Sequence, residues 1–196
     1  MKITLGHLYP YELNLYGENG NIKALKYELE KNGIEVEIVN INKEDELNLN
    51  NIDFLYIGSG KTKNIEEIKE RIKEYKFDLL KYISEGKILL ATGNSVEILE
   101  ILELYKTEYF HNRKVADVVA TTSLCKGVIK GFQNTEYLIK STSNILFNID
   151  NGYGNDGTMM EGFMNNNLYA TSIIGPILAR NENLTKYFVD ILKNKE

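Results

Sequence analysis

Cysteine, histidine and proline are scarce in this sequence: one, two and two residues among 196. A lone Cys125 cannot form an internal disulfide, and that usage fits a reducing, cytoplasmic setting. Cys125, His7 and His111 cannot assemble a zinc site of the usual kind, so no metal and no cofactor is expected. Long basic runs are missing, and a net charge of -5 argues against a nucleic-acid surface or an anionic membrane patch. No apolar segment reaches the length of a membrane span, and the chain enters a strand directly, without a signal-peptide core. No internal repeat and no low-complexity linker interrupts it, so a single domain over 1–196 is expected.

What is present is enough apolar content, 43%, for one sizeable core. The organising stretch is Lys87-Ile-Leu-Leu-Ala-Thr-Gly-Asn-Ser-Val-Glu-Ile98. Its apolar start reads as a buried parallel strand over 87–91, and Val96, Leu99 and Leu102 then fall at helical spacing to about residue 105. The tight turn between them, Thr92-Gly93-Asn94, lies where hydrolases with an elbow hold their nucleophile. Around it the pattern predicts strands over 2–8, 35–40 and 52–57. Helices are expected over about 21–32, with Asn19 or Asn21 as cap, and over 65–84, in one or two pieces. Alternation of this kind implies a doubly wound, mostly parallel α/β sheet with helices on both faces. The second half reads differently: short β-type runs over 115–122, 127–132, 136–139, 145–147 and 168–173, with a loop over 148–156. These are expected to be extra, antiparallel strands or an extension of the sheet. A helix over 183–193, capped by Asn181 or Asn183, closes the chain.

Four segments carry the functional signal: Leu13-Asn-Leu-Tyr-Gly-Glu-Asn-Gly-Asn-Ile22, Gly58-Ser-Gly60, the elbow, and Ile173-Ile-Gly-Pro-Ile-Leu178. With them the chain resembles the class I (triad-type) glutamine amidotransferases. Within these it is similar to the cobyric acid synthase-like branch and the amidotransferase subunit of bacterial lipid II isoglutaminyl synthase. The resemblance covers nearly the whole chain. It implies glutamine hydrolysis by an elbow cysteine and a histidine, with ammonia passed to a partner that uses ATP. In the lipid II system that partner is Mur-ligase-like, and the acceptor is a D-glutamate carboxylate of the peptidoglycan precursor.

The departures from that pattern matter most. On this resemblance the cysteine maps to Thr92 and the histidine, which precedes Gly-Pro, to Ile174. A threonine hydroxyl needs a base to become a nucleophile, and isoleucine is no base. Gly58, Gly60, Gly93 and Arg113 match positions near bound glutamine, the glycines of the first turn helping to supply oxyanion-binding N–H groups. Two glycines after a buried strand are also ordinary turn chemistry, and an exposed arginine is ordinary surface. Ser95, in Gly93-Asn-Ser-Val-Glu97, half-matches a serine-hydrolase elbow, while a helix N-cap explains it more plainly. His7 and His111 are further candidates for a displaced base, Glu18, Asn19 and Asn21 for contacts to a polar ligand, and Cys125 for a buried small hydrophobe. The expectation is a degenerate amidotransferase that binds glutamine, a related small molecule or an ATP-dependent partner. The alternatives are retained activity through displaced residues and hydrolysis at Ser95.

Overall fold

The structure, a computed structural model, describes residues 1–141 and 143–194. Its elements run β1 (Lys2–Leu8), α1 (Asn19–Lys31), β2 (Glu35–Ile41), β3 (Phe54–Ile57), α2 (Thr62–Ile72), α3 (Lys76–Ser84), β4 (Ile88–Thr92) and α4 (Val96–Leu99). They continue with β5 (Thr107–Thr121), β6 (Ile129–Ile139), β7 (Phe147–Asn151), β8 (Met160–Glu161), β9 (Phe163–Asn165), β10 (Leu168–Thr171), α5 (Ile177–Arg180) and α6 (Glu182–Lys193). A six-stranded sheet has the order β2-β1-β3-β4-β10-β9. All its neighbouring pairs are parallel except β9 against β10. A second sheet of four antiparallel strands has the order β6-β5-β7-β8.

The period of two along the parallel strands sorts their side chains into two cores. Leu55, Ile57, Leu89, Ala91, Leu168 and Ala170 point to the face covered by α2, α3 and α4. Phe54, Tyr56, Ile88, Leu90 and Tyr169 point to the other, covered by α1, α5, α6 and the antiparallel sheet. The doubly wound arrangement with added antiparallel strands therefore stands as expected. Among the described residues no helix is long and apolar enough to cross a membrane.

Several expected boundaries move, for local reasons. The runs 127–132 and 136–139 are one strand, β6, which pairs with β5 across an irregularity between Tyr109 and Lys114. The expected loop over 148–156 gives its first residues to β7. Cys125 lies in the connection between β5 and β6, half-buried, rather than in a strand. The helical path after the elbow is a 3-10 turn, one α turn and another 3-10 turn, ending at Leu102 because Glu103 takes a left-handed φ of 60°. Helix α1 starts at Asn19, whose N–H donates to the Asn14 side chain, so neither expected asparagine is its cap. Asn181 precedes α6, but its side chain binds the Lys130 backbone instead of the helix.

The two sheets meet at the segment after β10. Ile174 exchanges backbone hydrogen bonds with Phe132 of β6, at 2.8 and 3.3 Å. Beside it, a Cβ on Gly131 would lie 2.2 Å from Ile173 Cγ2, so glycine is required there by close approach rather than by backbone conformation. Gly131→Ala should therefore lower stability by about 1–3 kcal/mol through overpacking. Urea titration is expected to show a lower midpoint at unchanged slope, whereas Val128→Ala on the surface should leave the midpoint in place. An unshifted midpoint for Gly131→Ala would mean that the seam is loose.

Candidate functional site

The carboxyl ends of β1, β3, β4 and β10 converge with the segment 9–18, and the expected site residues lie there. Thr92 closes β4 opposite Thr171 of β10 and is fully buried. Its Oγ1 donates to Glu18 Oε2 at 2.7 Å and lies 2.7 Å from the Tyr56 hydroxyl. Tyr56 also donates to Glu18, and Asn21 Nδ2 donates to the Tyr56 hydroxyl at 2.7 Å. Asn21 Oδ1 accepts from the Leu178 amide at 2.8 Å, which ties this buried cluster to α5. Glu18 and Asn21, candidates for ligand contact, are thus internal polar packing. Burial pushes the Glu18 carboxyl up, against the lowering effect of its hydrogen bonds to Tyr56 and Thr92. His7 packs its ring on Tyr56 at 5.4 Å, buried with no hydrogen-bond partner for Nε2 among the described residues; burial lowers it to about 4, so it is neutral.

The next residue, Gly93, takes the left-handed backbone of the turn with φ of 65°. A Cβ built on it would sit 2.6 Å from Ile174 Cγ2 and 2.6 Å from Ser59 Oγ. Gly93 and Ile174 are therefore adjacent, and Ile174 and Ser59 fill the space above the turn. Asn94 turns its amide onto the first glycine loop. Its Oδ1 accepts from the Gly60 N–H at 3.0 Å and from Ser59 Oγ at 2.8 Å, while its Nδ2 donates to Gly60 O at 2.7 Å. The Gly60 N–H is thereby satisfied inside the protein. Gly58 and Gly60 do not have positive φ; each is small because Leu13 passes over it, its carbonyl 2.3 Å from a Cβ on Gly58. That corrects their reading as turn glycines.

Ser95 is fully buried and donates to Thr92 O at 2.8 Å and Ile57 O at 3.1 Å. It makes no side-chain cap bond, and its burial removes hydrolysis at Ser95 from consideration. His111 is exposed on β5, its ring edge-on to Tyr109 at 5.4 Å. Arg113 pairs with Glu136 at 3.0 Å and with Asn134 Oδ1 at 3.1 Å.

A cleft of about 230 Å³ opens between the elbow and the β5–β6 arm. Gly60, Asn94 and Glu97 line one side, and Arg113, Glu136 and Tyr137 the other. Of the expected substrate-binding residues the cleft therefore unites Gly60 with Arg113, while Gly58 and Gly93 are not on its wall. Sequence reading missed Tyr56, hidden in an apolar run, and Asn94 and Glu97, which look like ordinary turn and helix residues. The spacing of Glu97 four residues after Gly93, on the first helical turn past the elbow, was the available signal.

This arrangement is that of the class I glutamine amidotransferase fold. The chain superposes on the structure of PurLQS from Thermotoga maritima with a TM-score of 0.63, at 18% identity over 98% of this chain and 99% of that one. It also superposes on a crystal structure of a glutamine amidotransferase with a TM-score of 0.60, at 19% identity over 96% and 98% of the two chains. No protein-family model matches. In sequence it is 32% identical, over 96% of its own length and 84% of the relative's, to the lipid II isoglutaminyl synthase (glutamine-hydrolyzing) subunit GatD of Staphylococcus aureus (strain N315). The chain belongs to the GatD family.

The buried cluster makes a pH-dependent prediction. A carboxyl whose folded pKa is raised contributes stability that is full below its unfolded value, near 4.5, and is lost as pH rises. Glu18→Gln keeps the shape and the accepting oxygen without the charge. The variant should melt above the natural protein at pH 8, the difference closing as the pH approaches 4.5. A constant or opposite difference in Tm across that range would show that Glu18 is held ionised.

Proposed function

We propose that this GatD-family chain no longer hydrolyses glutamine and acts by binding. In this reading it is a non-catalytic subunit in the cytoplasm, paired with a Mur-ligase-like or other ATP-dependent amide-forming partner. The observation that carries the proposal is the turn at the end of β4. In an elbow, the strained residue is the one that presents its side chain above the sheet. Here that backbone belongs to Gly93, which supports placing the nucleophile position at Gly93, one residue beyond Thr92. In either register no thiol is available, and the position before Gly175-Pro176 is Ile174. Ile174 Cγ2 and Ser59 Oγ stand where a nucleophile's side chain would begin. Asn94 occupies the Gly60 N–H, which also takes an oxyanion donor out of use.

A specific observation favours a second reading, retained activity through Thr92: Glu18 Oε2 lies 2.7 Å from its hydroxyl, within reach of a general base. Against it, Thr92, Glu18 and Tyr56 are all fully buried, and burial favours a protonated Glu18 that cannot accept a proton. A substrate carbonyl has no approach to that hydroxyl in this arrangement.

The test is ammonia release from glutamine by the natural protein and by two double variants. The natural protein should be silent. Gly93→Cys with Ile174→His should gain measurable release, although a cysteine in the left-handed region costs about 1–3 kcal/mol of stability. Thr92→Cys with Ile174→His should remain silent; gain there instead would assign the nucleophile position to Thr92. Release by the natural protein that Thr92→Ala abolishes would sink the non-catalytic reading.

A further inference from the structure

We infer that the fold singles out one site of spontaneous covalent modification, Asn151-Gly152 at the end of β7, where the asparagine amide is converted to an acid with water as co-reactant. The inference is independent of the reading above and holds for an active or an inactive chain.

An asparagine followed by glycine is open to this reaction because glycine places no side chain beside its own backbone nitrogen and leaves the chain free to turn. That nitrogen gives its proton to a solvent base and attacks the asparagine Cγ. The N–Cγ bond forms, the Cγ–Nδ2 bond breaks, and Nδ2 takes up a proton and leaves as ammonia. Water then opens the cyclic imide at either carbonyl, giving aspartate or isoaspartate. A reactive site therefore needs an uncommitted N–H on the glycine and an asparagine side chain open to solvent. The chain holds three such dipeptides, Asn19-Gly20, Asn32-Gly33 and Asn151-Gly152.

Two of them are held. The Gly20 N–H donates to Gly17 O at 2.9 Å at the start of α1, and a Cβ on Gly20 would lie 2.8 Å from the Pro176 ring, so this backbone is hydrogen-bonded and packed. Asn32 is exposed, but the Gly33 N–H donates to Glu30 O at 2.9 Å. Both ends of the Asn32 amide are also engaged, Nδ2 donating to Glu28 O at 2.8 Å and Oδ1 accepting from Lys193 Nζ at 3.2 Å. Asn151 differs. It is exposed, and the N–H of Gly152, whose φ is 124°, makes no hydrogen bond among the described residues. Only its Nδ2 is tied, donating to Asp117 O of β5. The product has a consequence there. A carboxylate at position 151 sets an acceptor against the Asp117 carbonyl in place of a donor, beside Asp150, so the side-chain tie between β7 and β5 is lost.

The test is to hold the full chain in mildly alkaline buffer, sample it over days, and weigh the peptides around each Asn-Gly pair by mass spectrometry. Acid and isoaspartate should accumulate at position 151 about fivefold faster or more than at 19 or 32, the factor that one hydrogen bond on the attacking N–H costs. In the same chain unfolded by guanidinium the rates should converge, because the dipeptides are identical and only the fold distinguishes them. Amide proton exchange, followed by NMR, should be faster at Gly152 than at Gly20 or Gly33, a readout that needs neither reaction nor variant. Asn151→Asp, which reproduces one product, should lower Tm; an unchanged Tm would overturn the claim that the product loosens β7 from β5. Equal or faster conversion at Asn19 or Asn32, no conversion at Asn151 in the folded chain, a preference that survives unfolding, or a protected Gly152 N–H overturns the site itself. The ammonia set free is at most one molecule per chain and needs no glutamine, so it is separable from the turnover tested above.

Discussion

The contact between Gly93 and Ile174 constrains everything around it. β4 and β10 are parallel neighbours in register, so the segments leaving their carboxyl ends must share one small volume. Ile174 occupies that volume because Gly93 has no side chain. The segment carrying Ile174 cannot yield easily. Phe132 bonds its backbone, Gly131 seats Ile173, and Glu161 accepts from Thr171 Oγ1, Ser172 N and Ser172 Oγ at 2.7–2.8 Å. A side chain at position 93 would meet the Ile174 and Ser59 side chains, so it needs a change at position 174 to be seated. The shape of the turn and the packing of the loop after β10 are thus one constraint rather than two.

Buried carboxyls on either side of that contact hold the frame. Glu161 spends both oxygens on the loop after β10. Glu18 concentrates its bonds on one oxygen, shared by Tyr56, Thr92 and Asn21. Both are pushed towards the protonated form by burial, and both knit strands to the loops that follow or face them.

The strand and helix periodicities, and the motifs shared with amidotransferases, were legible because each is a local pattern. Lys2–Leu8 could be read to the residue from its apolar content. The helix expected over 65–84, in one or two pieces, is two, starting three residues earlier at Thr62. The β5 and β6 arm was legible only in pieces, over 115–122, 127–132 and 136–139; its full length and its irregular pairing between Tyr109 and Lys114 were not. Asn94, Tyr56 and Glu97 escaped notice for a related reason: a polar residue has meaning only through its partners, and those partners lie 34 or more residues away for Asn94 and Tyr56.

By itself, then, the sequence determined the doubly wound plan and the GatD-like motifs, because these depend on residue type and spacing alone. Only the tertiary structure decided which turn residue takes the left-handed backbone and what fills the space above it. Those are questions of close approach and burial between segments far apart in the chain, and no local pattern encodes them.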